Sequence, residues 1–255
     1  MAVTDDILTV LAPPHPAGRP FIMGGLIVLL LGFGIGHWLI WIGLIFTLFC
    51  LYFFRDPERT PPPRPSVFVS PADGRVVSVT QAPPPAELGL GDEPRWRVSI
   101  FLSVLNVHVN RIPASGVVTR IAYRHGAFVS ASLDKASTSN ERNALAIRLH
   151  DGREIAVVQI AGLIARRILC QVSEGDPVHV GDRFGIIRFG SRTDLYLPQG
   201  VKPLVVEGQT MIGGETVIAE EAPSPPVTVV PRGVPRGVPG DVARDEARDG
   251  TGDVT

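Results

Sequence analysis

The amino-acid sequence predicts a mainly β (α+β) protein, a barrel-sandwich-like β domain behind an N-terminal membrane helical hairpin. Three observations carry this reading. Residues 21–54 form an almost uninterrupted apolar run in which His37 is the one basic side chain. From residue 67 onward, apolar residues alternate with polar ones or gather in short blocks, the two signatures of strands. Two later stretches, 175–187 and 208–219, share one spacing of glycines and β-branched residues, as paired hairpins of a sandwich would.

Taken in order, residues 1–20 form an N-terminal segment expected in the cytoplasm. The run 21–54 exceeds the ~20 residues needed for one crossing and falls short of two full spans with a turn. A tight hairpin broken near Gly32–His37 is expected, and one tilted span stays open. No small-residue cleavage site ends the run before Arg55, so it does not read as a cleaved signal peptide. Arg19 on one flank and Arg55, Arg59 and Arg64 on the other favour the cytoplasmic side for both ends, hence a cell (inner) membrane protein with a cytoplasmic β domain. Residues 55–66 are a proline-rich, semi-rigid linker that holds the β domain, 67–221, close to the bilayer. Strands are expected over 74–79, 96–101 and 116–123, and a hairpin over 144–150 and 153–160 with Asp151-Gly152 as a two-residue turn. Residues 222–255, with their Pro-Arg-Gly-Val repeats, cannot bury a core and are expected to be disordered.

Composition removes several function classes. A formal net charge of −1 argues against a nucleic-acid partner, whose phosphates call for a basic excess. The cysteines, Cys50 and Cys170, are too few for a disulfide framework. The histidines show no ligand spacing, so no metal is expected. Pyridoxal phosphate needs a lysine and a phosphate cradle; the lysines are Lys135 and Lys202, and no glycine-rich phosphate loop appears.

Chemistry concentrates at Gly190-Ser191, at the end of an apolar strand. A serine hydroxyl that attacks the preceding carbonyl carbon closes a five-membered ring and leaves an ester, provided a base activates it and donors hold the oxyanion. Glycine tolerates the strained backbone this attack demands. Elimination would free residues 1–190 and leave dehydroalanine on 191–255, which hydrolyses to a pyruvoyl group. A bare Gly-Ser pair is more often a turn. Activation calls for a base and a carboxylate to orient it. Asp73 sits in a Pro-Ala-Asp-Gly turn, where it could equally cap its own backbone. His108 sits in a Val-His-Val strand, where it could equally be a satisfied core histidine.

The segments Ser70-Pro71-Ala72-Asp73-Gly74, Phe101 to Pro113, Asn140-Glu141-Arg142-Asn143, Gln159 to Arg167 and Arg188-Phe189-Gly190-Ser191-Arg192 occur in one order. Together they resemble the short, bacterial and archaeal form of the pyruvoyl-dependent phosphatidylserine decarboxylases over about residues 19–220. The resemblance implies a membrane enzyme that cuts itself at Gly190-Ser191, converts Ser191 to a covalent pyruvoyl cofactor, forms a Schiff base with phosphatidylserine and releases carbon dioxide to give phosphatidylethanolamine. It implies Ser191, His108 and Asp73 as catalytic residues and the cleaved chains 1–190 and 191–255 as partners, with a homodimer left open. Long-form members carry a second histidine where this chain has Arg111, so that either His108 serves both cleavage and decarboxylation or another group substitutes. Arg111, Asn110 and Ser103 are the candidate substrate-binding residues, Arg111 because a guanidinium matches carboxylate or phosphate bidentately. The rival reading is a non-catalytic, membrane-tethered carrier- or adaptor-like sandwich. A carrier needs a lysine at its hairpin tip, and neither lysine lies in the two glycine-bounded stretches.

Overall fold

The computed structural model describes residues 12–126, 140–162, 167–188 and 190–221. The expected disordered tail over 222–255 and most of the N-terminal segment 1–20 lie outside the described residues, as do Phe189 and residues 163–166 of the motif Gln159 to Arg167.

The apolar run folds as two helices, α1 (Arg19–Ile35) and α2 (His37–Phe53), broken at Gly36 within the expected stretch. Large apolar side chains such as Met23, Leu30, Phe33, Trp38, Trp41, Ile45 and Leu48 are exposed along both helices. A helix surface apolar in this way needs lipid or protein around it. The helices pack antiparallel through glycine. A Cβ at Gly32 would lie 2.5 Å from the Ile40 nitrogen, and one at Gly43 2.4 Å from the Leu29 nitrogen. Small residues permit this close approach of helices in a membrane. Each helix of 17 residues is about 25 Å long. With its preceding 3-10 turn, α1 is long and apolar enough to cross a membrane, while α2 is shorter. At the base, the His15 N–H donates to Phe54 O (2.7 Å) and the Asp56 N–H to Pro13 O (3.0 Å), so both ends leave on one side.

The remainder is β structure: β1 (Val67–Val69), β2 (Gly74–Ala82), β3 (Arg95–Leu102), β4 (Val109–Arg111), β5 (Gly116–Arg124), β6 (Arg142–Leu149), β7 (Glu154–Ala161), β8 (Ile168–Cys170), β9 (Pro177–Val178), β10 (Arg183–Ile187), β11 (Ser191–Tyr196), β12 (Thr210–Met211) and β13 (Val217–Glu220). A curled eight-stranded sheet runs β12-β2-β3-β11-β7-β6-β5-β9, beside a β4-β10-β8 sheet and a β1-β13 pair, all antiparallel. The period of two along β11 decides what each side chain meets. Leu195 joins Val98, Ile100, Leu102, Leu145, Ile147, Ile155 and Val157 in the main core, and Tyr196 joins Ala144, Ala146, Ala156, Val158 and Ile160 on the other face. A third cluster fastens the hairpin base to the β4-β10-β8 sheet: Cys50, Phe53 and Phe54 pack with Val107, Val109 and Ile186.

Two turn expectations are altered. The hairpin between β6 and β7 closes with the Leu149 N–H donating to Arg153 O (2.8 Å), so its loop is His150-Asp151-Gly152 rather than Asp151-Gly152 alone. Gly152 at φ 87° supplies the left-handed residue such a three-residue loop requires. The two glycine-bounded stretches do not close on themselves, because β9 pairs with β5, β10 with β4 and β8, β12 with β2 and β13 with β1.

Candidate active site around Ser191

Ser191 opens β11, hydrogen-bonded between Leu102 of β3 and Ala161 of β7. Its Oγ is buried and has no hydrogen-bond partner among the described residues. A buried hydroxyl left unpaired costs about 1–3 kcal/mol, which makes it an exception to be explained. Gly190 stands at φ 67°, a left-handed conformation open to glycine and costly for other residues.

His108 lies just before β4, fully buried, with its ring centroid 4.2 Å from that of Phe53 at the end of α2. Its Nδ1 lies 2.9 Å from Asn106 O. A carbonyl oxygen can only accept, so Nδ1 carries the proton and Nε2 the lone pair. That lone pair accepts the Gly190 N–H at 3.4 Å, bringing the imidazole to the residue whose carbonyl must be attacked. Burial pushes the histidine down to about 4; the bond to Asn106 O opposes this, and the charge of Arg55 adds to it. The imidazole is therefore a neutral base at ordinary pH.

Asp73, just before β2, is not bonded to this histidine. One carboxylate oxygen accepts from Arg59 at 2.8 Å and the other from the Gly213 N–H at 2.7 Å. The expected carboxylate–imidazole bond is thus replaced: Arg59 and Gly213 hold Asp73, while Asn106 O holds His108. Burial raises the Asp73 carboxyl, opposed by Arg59, the Gly213 N–H, Arg55 and Arg111.

The candidate substrate residues are also spoken for. The Ser103 Oγ donates to Asn106 Oδ1 (2.7 Å), which also accepts the Ser103 N–H (2.9 Å), fixing the turn that presents Asn106 O to His108. The Asn110 Nδ2 donates to Thr193 Oγ1 (3.3 Å), and its Oδ1 accepts from Gln159 Nε2 (2.8 Å). Gln159 Oε1 in turn accepts from Asn143 Nδ2 (3.0 Å), completing a buried amide chain on the inner face of β11, β7 and β6. Arg111 points elsewhere, donating to Gly181 O (2.9 Å), Pro57 O (2.6 Å) and Asp56 Oδ1 (3.4 Å). Its guanidinium clamps the linker because three acceptors from linker and β-domain backbone converge on it.

Gln159, Thr193, Asn106 and Phe53 were not singled out by sequence reasoning as site residues. Gln159 carried a signal, as the one amide in the otherwise apolar Ile155–Ala161 run, at even spacing from core residues Ile155 and Val157. Thr193 stands two residues after Ser191, on the same face.

A sequence profile of the phosphatidylserine decarboxylase family matches residues 46–219. The phosphatidylserine decarboxylase proenzyme of Granulibacter bethesdensis is 69% identical over 223 residues, 88% of this chain and 91% of its own. The proenzyme of the same name from Gluconobacter oxydans is 61% identical over 228 residues, 86% of this chain and 100% of its own. That of Gluconacetobacter diazotrophicus is 59% identical over 223 residues, 86% and 99% of the two chains. With a profile match across most of its length and relatives this similar, the chain belongs to the phosphatidylserine decarboxylase family.

Proposed function

We propose that this chain is a proenzyme that cuts its own Gly190–Ser191 bond, converts Ser191 to an N-terminal pyruvoyl group, and decarboxylates phosphatidylserine to phosphatidylethanolamine at a membrane entered by α1 and α2. The observation that carries the reading is the buried, unpaired Ser191 Oγ beside a neutral His108 whose Nε2 already meets the Gly190 amide.

His108 Nε2 takes the hydroxyl proton as Ser191 Oγ bonds to the Gly190 carbonyl carbon, and gives it to the Ser191 nitrogen as the C–N bond breaks. The amide has become an ester with no atom lost. Removal of the Ser191 Hα then expels the Gly190 carboxylate and leaves dehydroalanine. Water converts that residue to a ketone with loss of ammonia. The left-handed Gly190 and the unpaired hydroxyl fit this conversion, the first because glycine takes that backbone freely beside the bond to be cut, the second because no partner holds the hydroxyl back.

When present, a pyruvoyl carbonyl condenses with a primary amine and draws off the electron pair that departing carbon dioxide leaves. Around that position, Asn110 and Thr193 hold β11 in place, and His108 Nε2, once it has taken a proton from the substrate ammonium, would return that proton to the substrate carbon in place of the lost carboxylate. The Asp73 carboxylate accepts from Arg59 of the linker and from the Gly213 N–H, which ties both to the start of β2. The two pieces stay together after the cut because β11 remains bonded between β3 and β7, while β12 and β13 pair with β2 and β1.

Arg19 and Arg55 at the hairpin base favour the cytoplasmic side of the cell membrane for the β domain, with Trp38 and Trp41 by the turn reaching toward the far interface. The test is the intact mass of the purified protein. Two pieces, 1–190 and a 191–255 piece bearing a ketone in place of its serine N-terminus, are expected. A single uncut chain with a free hydroxyl at Ser191 would favour the non-catalytic sandwich instead.

A further inference from the structure

Arg188 leaves β10 two residues before Gly190, and its Nε is buried without a hydrogen-bond partner. Its guanidinium carbon lies 5.5 Å over the ring of Phe21, in the first turn of α1. The Arg188 N–H donates to Arg167 O (3.3 Å), so the segments entering β8 and leaving β10 run side by side. The two cations are close enough that Arg167, after burial, lowers the Arg188 guanidinium further, and among the described residues no carboxylate acts on Arg188 in the other direction. Arg55 and Arg95 likewise hold no carboxylate among the described residues but are taken up by carbonyl oxygens. Arg59, Arg111, Arg142 and Arg192 each hold a carboxylate. Two neighbouring guanidinium groups without a counter-charge repel each other, and an anion between them removes that cost.

The depth of the pair indicates which anion. Phe21 begins the lipid-facing surface, since exposure of large apolar side chains starts at Met23 and continues along α1. The loop residues Val104 and Leu105 are exposed on the same side, tied to the hairpin base by Arg55, which donates to Leu105 O (2.8 Å). Arg188 therefore sits at headgroup level, and the chain that follows it leads directly to Ser191.

We infer that Arg188 and Arg167 form the seat for the phosphodiester of the lipid substrate, holding its serine headgroup against the Ser191 end of β11. The inference rests on the decarboxylase reading above and adds what binds the phosphate. A guanidinium fork matches two phosphate oxygens, and a short ester arm then carries the amine toward Ser191.

Two arms test it on the full chain in detergent micelles. In the first, KM for phosphatidylserine is measured for Arg188→Gln, Arg188→Lys and Arg167→Gln, with self-cleavage followed by mass. Loss of a charge-assisted bond to phosphate is expected to raise KM about ten- to hundredfold in Arg188→Gln while kcat changes by less. Arg188→Lys should recover part of the loss. Arg167→Gln, at an exposed position, gives the same test without a buried change. An unchanged KM in both glutamine variants overturns the inference. In the second arm, dihexanoyl phosphatidylserine and inorganic phosphate are titrated separately into the uncut Ser191→Ala precursor. The lipid is expected to bind and to lose about ten- to hundredfold with Arg188→Gln, and inorganic phosphate at equal concentration should not displace it. Displacement by inorganic phosphate would give the site to free phosphate and overturn the lipid assignment. This arm needs no cleavage, so failure of the parent chain to cut itself would sink the decarboxylase reading without obscuring the result.

Discussion

The polar cluster beneath Ser191 and the ionic cluster on the linker lie on neighbouring elements and are built in opposite ways. Beneath Ser191, Asn110, Gln159, Asn143 and Thr193 are neutral and buried, joined amide to amide and amide to hydroxyl. His108 is kept neutral by burial, and one hydroxyl, that of Ser191, has no partner. On the linker, Asp56 binds Arg183 at 2.7 Å and Arg111 at 3.4 Å, and Arg59 binds Asp73 at 2.8 Å. Compensated charges of this kind fix geometry, because each has its counter-charge in place. The uncompensated hydroxyl is where reactivity is stored. In this structure Arg111 is bonded to the linker and to Gly181, and Asp73 to Arg59 and Gly213 rather than to His108.

The largest expected effect comes from the neutral cluster. Ser191→Ala should leave the chain uncut and abolish decarboxylation, since no other atom can supply the ketone. His108→Gln, which preserves volume and one polar contact, should slow cutting by about a hundredfold or more, the usual contribution of a general base. Mass spectrometry after timed incubation reads both. Rapid cutting in the His108 variant would transfer the role of base to another group.

Breaking the ionic cluster should do something different. Arg111→Met leaves the Gly181 and Pro57 carbonyls without their donor while Asp56 keeps Arg183, at a cost of about 1–3 kcal/mol in stability. The folded fraction should still cut itself and keep its KM for phosphatidylserine. Thermal unfolding alongside steady-state kinetics separates the alternatives. A raised KM with unchanged unfolding temperature would restore Arg111 to the substrate site.

What was legible in the sequence follows the same division. Local patterns were readable: the apolar run with its glycine break, the strands with alternating residues, and a serine and a histidine whose motifs stand in order. Partners distant in the chain were not. Asp73 meets Arg59 and Gly213, and Arg111 meets Pro57 and Gly181, contacts made by the path of the linker and by the sheet topology rather than by spacing. Composition could show that Arg188 is basic, but only packing shows that its Nε lacks an acceptor. The loop after β6 illustrates a smaller limit. Asp151-Gly152 announced a turn, yet the closing pair is Leu149 with Arg153, one residue wider than the dipeptide implied.

Acid should reach the neutral cluster before the ionic one. The ordinary histidine value is 6.5 and that of His108 in the folded chain is about 4, so the unfolded chain takes up the proton first as pH falls. The stability conferred by neutral His108 is complete above pH 6.5 and declines toward pH 4, by at most about 3 kcal/mol. Asp73 works in the opposite sense just above 3.8, because its raised folded value favours the protonated folded state and offsets part of the loss. Thermal unfolding of the Ser191→Ala precursor between pH 7 and 4.5, compared with the Ser191→Ala, His108→Phe double variant, isolates the contribution. Equal slopes in the two would remove His108 as its source.

The smallest effect is the most informative about the amide chain. Asn110→Leu leaves Gln159 Nε2 without its acceptor, and Gln159→Leu leaves Asn110 Oδ1 without its donor, each at a cost of about 1–3 kcal/mol. The double variant removes both partners of that bond, so the two groups stranded by the singles vanish together, while Asn143 and Thr193 lose no more than in the singles, and the combined loss should fall below the sum of the two singles. Stability alone cannot show that the chain positions Ser191. Cutting rates can, because Thr193 loses its bond from Asn110 in one single variant and keeps it in the other. Asn110→Leu should therefore slow cutting more than Gln159→Leu at equal stability. Equal rates would mean that the amide chain only fills the core, and that the sheet bonds of Ser191 to Leu102 and Ala161 hold the hydroxyl unaided.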